Sequence, residues 1–251
     1  MKPRQRQSRI LDVVAREGEA TVDALADEFE VSAETIRRDL AQLAMSGALQ
    51  KVHGGARRLR LHAEGSFAER MGEDAAAKQV IAQKLATIVE PGDTLFMDTG
   101  TTTLFCAEAL AQVARLTVIT NSVRVAQALS RGSGGARVFL LGGEYAADNA
   151  QTRGALALDQ IDRFQADHAV LAVAALDPVA GVANTDIEET QVARRMMANA
   201  THVIVVAQAA KLGRKAAHRI CRLDEVDMLV CDTVPGDAFR AALAAAQVQV
   251  R

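Results

Sequence analysis

The sequence predicts an α/β protein in which a small N-terminal winged helix-turn-helix domain precedes a larger domain built on a mainly parallel sheet. Three observations carry this expectation. Three short helical patterns stand before residue 47, with a tight turn between the second and third, which is helix-turn-helix order. A strand-like stretch with Leu49 and Val52 then meets Gly54-Gly55, the pattern of a small β-wing. From Pro91 onward apolar strand patterns alternate with helical ones, as crossover helices in a parallel sheet require. A chain of 251 residues has room for one large domain or two smaller ones.

The first helix is expected over Gln7 to Arg16, with Ile10, Leu11, Val13 and Val14 on its apolar side and Gly18 ending it. Thr21 caps a second helix, Val22 to Phe29, with Leu25, Ala26 and Phe29 inward. Ser32 opens the third, which runs to about Ser46 and stops at Gly47. The hydroxyl of Ser32 can accept from an amide one turn in, and Thr35 can answer it; Glu34 sits one place short of a strict capping box. Ile36, Leu40 and Leu43 share one face. Glu34, Thr35, Arg37 and Arg38 lie largely off that stripe, and a short helix with this outer face suits the major groove of DNA. The wing carries Lys51 and His53, and the run Lys51 to Arg60 holds Lys51, Arg57, Arg58 and Arg60 with no acid.

The net charge of -2 excludes a generally basic nucleic-acid coat but leaves room for a local basic reading surface. Residues 1–60 hold 11 Lys or Arg against 9 Asp or Glu, a balance too even to decide more. Cys106, Cys221 and Cys231 are widely spaced, which argues against a disulfide framework or a zinc site and fits a reducing compartment. The absence of Trp and the lone Tyr145 disfavour a single-strand binder built on stacking. His168, His202 and His218 lack ligand spacing and read as structural, and His62 as solvated; no metal or cofactor is expected. No apolar run resembles a signal peptide or a bilayer span, so the expected location is the cytoplasm.

Residues 57–77 read as a linker plus the start of a helix that runs through Lys78 to Val89. Strands are expected at Thr94 to Met97, Leu116 to Ile119, Val138 to Leu141, Ala169 to Val173 running on to Asp177, Val203 to Val206 and Val226 to Cys231. Helices are expected from Thr101 or Thr102 to Leu110, up to Leu129, over Ile187 to Ala200 and from Asp237 to Ala246. Ligands of such sheets sit at the carboxyl ends of strands. The polar clusters fall there: Asp98-Thr99-Gly100-Thr101-Thr102-Thr103, Asn121-Ser122, Gly142-Gly143 and Asp177. The first is a candidate anion cradle, because Gly100 permits close approach and the amides of a helix start favour negative charge. It is neither a Walker loop nor a dinucleotide fingerprint. Glu188 and Glu189 read as a helix start favoured by the dipole.

V-S-A-E-T-I-R-R-D-L at 31–40 followed by K-V-H-G-G-A at 51–56 closely resembles the N-terminal signature of the DeoR family of bacterial transcriptional regulators. The resemblance continues through D-T-G-T-T-T at 98–103, T-N-S at 120–122, L-G-G at 141–143, I-E-E-T at 187–190 and K-L-G-R at 211–214. It implies an effector domain resembling ribose-phosphate isomerases and responding to a phosphorylated sugar or polyol. The chain departs from the family pattern at Lys51, where Arg is commoner, at Ala172 and Ala175, where glycines are usual, and at Gln208 and Ala210, where an acid and a hydroxyl usually precede Lys211. The last change is expected to leave Lys211 with fewer local partners.

The expected organisation is a DNA-binding domain at 1–57, a linker at 58–74 and an effector-binding and oligomerisation domain at 75–251. Ser32, Glu34, Thr35, Arg37, Arg38, Lys51, His53, Gly54 and Gly55 would meet double-stranded operator DNA. Asp98, Thr99, Gly100, Thr101, Thr102, Thr103, Asn121, Ser122, Gly142, Gly143, Asp177, Glu188 and Lys211 would surround the effector. The expected function is that of a repressor of a carbohydrate or glycerol-phosphate operon, a homodimer or homotetramer with no membrane partner. The rival expectation is a sugar-phosphate isomerase-like enzyme carrying a DNA-binding domain, with Asp98 and Glu188 as acid and base.

Overall fold

The structure is a computed structural model that describes residues 3–45, 48–52, 54–57 and 64–251, with the backbone alone at Met45 and Gln50. It divides into two compact units, Met1–Ala63 and Glu64–Arg251. The expected helix stop at Ser46 and Gly47, and the expectations for His53, Arg58, Arg60 and His62, lie outside the described residues.

The first unit comprises α1 (Pro3–Glu17), β1 (Glu19–Thr21), α2 (Val22–Phe29), α3 (Ala33–Met45), β2 (Gln50–Val52) and β3 (Gly55–Arg57). Ile10, Val14, Leu25, Phe29, Ile36, Leu40 and Leu49 form its core, so the apolar stripes of the three helices face one another. A buried Arg6–Asp39 ion pair ties α1 to α3, and the Gln7 amide donates to Asp39 at 3.1 Å and to Gln42 at 2.8 Å. The sequence reading missed β1, which pairs antiparallel with β3 and widens the wing to three strands in the order β1-β3-β2. Three residues between two helices carry no alternation to reveal a strand. The register explains Gly55: a Cβ there would lie 2.3 Å from the Ala20 carbonyl oxygen.

The second unit begins with α4 (Phe67–Gly72), α5 (Ala75–Ala86), β4 (Thr94–Met97), α6 (Thr101–Leu110), β5 (Thr117–Thr120), α7 (Val123–Ser130) and β6 (Arg137–Leu140). It continues with β7 (Glu144–Ala146), β8 (Gln151–Arg153), α8 (Ala155–Ile161), β9 (Ala166–Ala172), β10 (Ala175–Asp177), β11 (Gly181–Asn184), α9 (Ile187–Ala198) and β12 (Ala200–Val206). Last come β13 (His218–Cys221), β14 (Met228–Val230), α10 (Asp237–Ala245) and β15 (Gln249–Val250). A seven-stranded sheet in the order β15-β14-β12-β9-β4-β5-β6 is parallel at every pairing. Alternate residues of each central strand feed opposite cores. Phe96, Ala169, Leu171, Val203 and Val205 face one; Leu95, Met97, Val170, Ala172, Ile204 and Val206 face the other.

Three expectations are corrected. Residues 64–74 are not a plain linker: they carry α4, opened by a capping box in which Ser66 and Glu69 satisfy each other's amides. The helix expected to run through Lys78 to Val89 starts at Ala75, within the stretch expected to hold its start, but ends early, at Ala86. The strand expected to run on to Asp177 breaks after Ala172, and β10 instead pairs antiparallel with β11 in a separate sheet.

Candidate functional site

The third helix presents the DNA-facing candidates. Ser32 Oγ accepts from the Thr35 amide at 3.2 Å, and the two hydroxyls lie 2.9 Å apart, so Thr35 does answer the cap. Arg37 and Arg38 side chains are 57% and 80% exposed, bridged loosely by Glu34 at 3.7 and 3.3 Å. Such exposed pairs contribute little to stability and leave the guanidinium groups available to another partner. Lys51 is exposed on β2, and Gly54 turns the wing with φ +78°, in the left-handed region.

At the carboxyl ends of β4 and β9 lies a cleft lined by Glu64, Arg70, Thr99, Gly100, Thr101, Thr102, Ala172, Val173, Asn184, Glu189 and Lys211. Gly100 is required at its floor, because a Cβ there would come 2.8 Å from the Ala172 Cβ. The α6 start therefore sits directly against the end of β9, with Gly100, Thr101 and Thr102 lining the cleft. Thr103 donates to the Gly100 carbonyl at 3.1 Å and steadies the turn. Thr99 Oγ1 is buried with no hydrogen-bond partner, and a buried polar atom of this kind calls for a ligand or water.

The cleft is lined with opposed charges. Lys211 Nζ donates to Glu64 Oε1 at 3.0 Å and to the Val173 carbonyl at 2.6 Å. Arg70 meets the other Glu64 oxygen at 3.2 Å and donates to Asn149 at 2.9 Å. Lys211 is expected to have fewer local partners, and both partners it has are remote in sequence, the carboxylate lying 147 residues upstream. Burial pushes the Glu64 carboxyl upward, but Lys211 and Arg70 outweigh it and hold the group below the ordinary carboxylate range. Behind them, Lys78 donates to the carbonyls of Arg70 and Glu73, and burial lowers its pKa.

Across the cleft, Glu189 accepts from Asn149, from Gln151 at 2.7 Å and from Asn184 at 3.2 Å. Burial nevertheless raises its pKa. Asp98 is enclosed, accepts from the Ala172 amide at 3.0 Å, and is displaced well above its ordinary value by burial.

The cleft gathers Thr99, Gly100, Thr101, Thr102 and Lys211 from the sequence reading and adds Glu64, Arg70, Asn184 and Glu189. Glu188 does not line it; its neighbour Glu189 does, while the Glu188 amide is capped by Asp186. Successive helical residues point about 100° apart, and nothing in the pattern of residues 187–190 sets the phase that would choose between them. Asn121 stands one step behind, donating to Gln151, which in turn holds Glu189. Ser122 caps α7. The Gly142 amide donates to the Gln160 side-chain oxygen at 2.9 Å, Gly143 adopts φ +144° against the Arg153 carbonyl, and Asp177 closes its own turn by accepting from Val179 and Ala180. These last four shape loops and do not line the cleft.

Among the described residues, no group of His, Cys, Asp and Glu side chains could hold a metal ion, and no helix is long and apolar enough to cross a membrane.

Comparison with known proteins gives the cleft and the helix a family context. Residues 6–60 match the DeoR-like helix-turn-helix domain, and residues 73–233 match the DeoR C terminal sensor domain. The HTH-type transcriptional repressor CsqR of Escherichia coli (strain K12) is 31% identical over 98% of this chain and 94% of its own. The glycerol-3-phosphate regulon repressor of the same organism is 32% identical over 94% of this chain and 93% of its own. A chain of the tetrameric eIF2B-beta2-delta2 complex from C. thermophilum shares the fold, with TM-score 0.51 and 15% identity over 94% of this chain and 70% of that one. The domain matches together with the full-length repressor relatives place this chain in the DeoR family of DNA-binding transcriptional regulators.

Proposed function

We propose that this regulator represses a carbohydrate or glycerol-phosphate catabolic operon and leaves its operator when a phosphorylated sugar or polyol enters the cleft. The observation that carries the reading is the cleft itself, where a helix start, an unpartnered Thr99 hydroxyl and the Lys211 and Arg70 cations converge. A phosphate needs this set: neutral donors, a favourable dipole and positive charge. The name of the glycerol-3-phosphate regulon repressor supports the choice of ligand class. On the DNA side, α3 carries Ser32, Glu34, Thr35, Arg37 and Arg38 to the operator, with Lys51, Gly54 and Gly55 of the wing beside it. The protein works in the cytoplasm as a homodimer or homotetramer, with half-sites about 10 base pairs apart or a multiple of that.

Against the isomerase reading, Glu188 of its acid-base pair stands outside the cleft, and Asp98 accepts from the Ala172 amide.

A thermal-shift screen of phosphorylated metabolites tests the proposal, since a ligand at 100 times its dissociation constant adds about 2.7 kcal/mol. A phosphorylated three- to six-carbon compound that raises the melting temperature and displaces operator is expected. A screen with no shift, or turnover of a pentose phosphate by the full chain, would overturn it.

A further inference from the structure

Glu64 is the anomaly of the cleft. It is the first residue of the second unit, seven residues after the end of the wing strand β3. Its carboxylate is gripped at one oxygen by Lys211 and at the other by Arg70. That is the geometry in which an anionic ligand would be held. The lining leaves a free volume of about 10 Å³, about what a single water needs. The cations therefore do not face an open pocket; the chain has supplied its own anion.

Resting on the phosphate reading of this cleft, we propose that Glu64 is an internal competitor whose carboxylate occupies the place of the effector's phosphate on Lys211 and Arg70. Effector binding and Glu64 release are then one exchange. Largely buried cations left without an anion are costly, and the exchange never leaves them so. The incoming ligand wins through charge, because a phosphate dianion offers more oxygens and more charge than one carboxylate. Arg214, another positive charge felt by Glu64, favours the dianion further; its Nε is buried and has no hydrogen-bond partner. A ligand with a single negative charge gains little over Glu64, so the competitor selects phosphate monoesters over carboxylates.

The test is phosphate binding by the full chain, with inorganic phosphate as probe and calorimetry as readout, in wild type, Glu64→Gln, Glu64→Asp and Lys211→Ala. A competitor present most of the time lowers apparent affinity by the fraction of time the site is open, so Glu64→Gln should bind phosphate on the order of tenfold tighter. Glu64→Asp keeps the charge but shortens the reach, and should fall between Gln and wild type. Binding by Glu64→Gln no tighter than wild type would overturn the inference. So would an Asp variant that matches wild type while Gln tightens, since charge alone would then be acting from a distance. Phosphate affinity indifferent to Lys211→Ala, or no phosphate binding by any variant, would instead overturn the underlying reading of the cleft.

Discussion

The outer face of α3 and the cleft of the second unit both use Arg or Lys beside Glu, to opposite ends. On α3, Glu34 sits three and four residues from Arg37 and Arg38, and all three side chains are more than half exposed. Water screens them, the pairs contribute little, and the cations can turn to a phosphate at small cost. In the cleft, Glu64, Arg70 and Lys211 are each no more than 22% exposed. There the pairing is hard to break without a replacement anion. The solvated surface is poised for a polyanion that arrives from outside. The enclosed one is poised for exchange.

The largest effect that sharpens this contrast comes from a buried pair within the first unit. Removing Arg6 leaves Asp39 enclosed without that cation, so Arg6→Ala should destabilise the first unit by about 3–5 kcal/mol. Glu34→Ala, on the exposed side of the same fold, should cost no more than about 1 kcal/mol. Chemical denaturation followed by circular dichroism compares them, and equal losses would erase the distinction.

Next is the operator surface. Arg37→Ala or Arg38→Ala should weaken operator binding by about 1–3 kcal/mol where the side chain contacts a base bidentately. Wild-type binding by both variants in fluorescence anisotropy at fixed salt would remove α3 from the interface.

These two contrasts also explain what the sequence made legible. Charges on α3 could be read because their partners lie within one helical turn, and Ile36, Leu40 and Leu43 mark the opposite face. The central strands were legible because β4, β9 and β12 are apolar on both faces, as buried parallel strands must be. The bounds of β4 are as expected, whereas β9 and β12 each start three residues earlier, since a parallel sheet sets length by pairing and not by composition. The β10-β11-β13 sheet was missed because its strands have three or four residues, several of them Ala or Gly. In the cleft, Thr99 to Thr102 announced themselves as a Thr-rich turn after a strand. Glu64 and Arg70 did not, because they lie in a polar stretch and their importance depends on Lys211, 147 residues away from Glu64.

Hydroxyl and cation should separate within the cleft. Thr102→Val loses a donor at nearly constant volume, so effector affinity should fall by about 0.5–1.5 kcal/mol, the worth of an ordinary hydrogen bond. Calorimetry with the compound found by thermal shift would measure it. An unchanged affinity would place the ligand away from the α6 start.

The smallest expected effect is in pH dependence. Glu64 titrates below its ordinary value in the folded chain, so its pairing contributes fully above the unfolded-chain pKa and is lost as pH falls through the lowered value. Asp98 and Glu189 are shifted upward, so ionising them costs stability at higher pH, and acid relieves that cost. The melting difference between wild type and Glu64→Gln should therefore be full at neutral pH and shrink below the ordinary carboxylate range. A difference that stays constant as pH falls below that range would show that the Glu64 charge is not what the cleft holds.

The account stands most directly on release of a preformed operator complex, titrated with the phosphorylated effector in wild type and in Lys211→Ala. Lys211 lies in the second unit and lines the cleft, so the variant should bind operator as wild type does. Loss of a charged hydrogen bond is worth about 1.5–3 kcal/mol, so the variant should need at least tenfold more effector for release. Release of both complexes at the same effector concentration would contradict the claim that an anion held in the cleft governs the protein's grip on DNA.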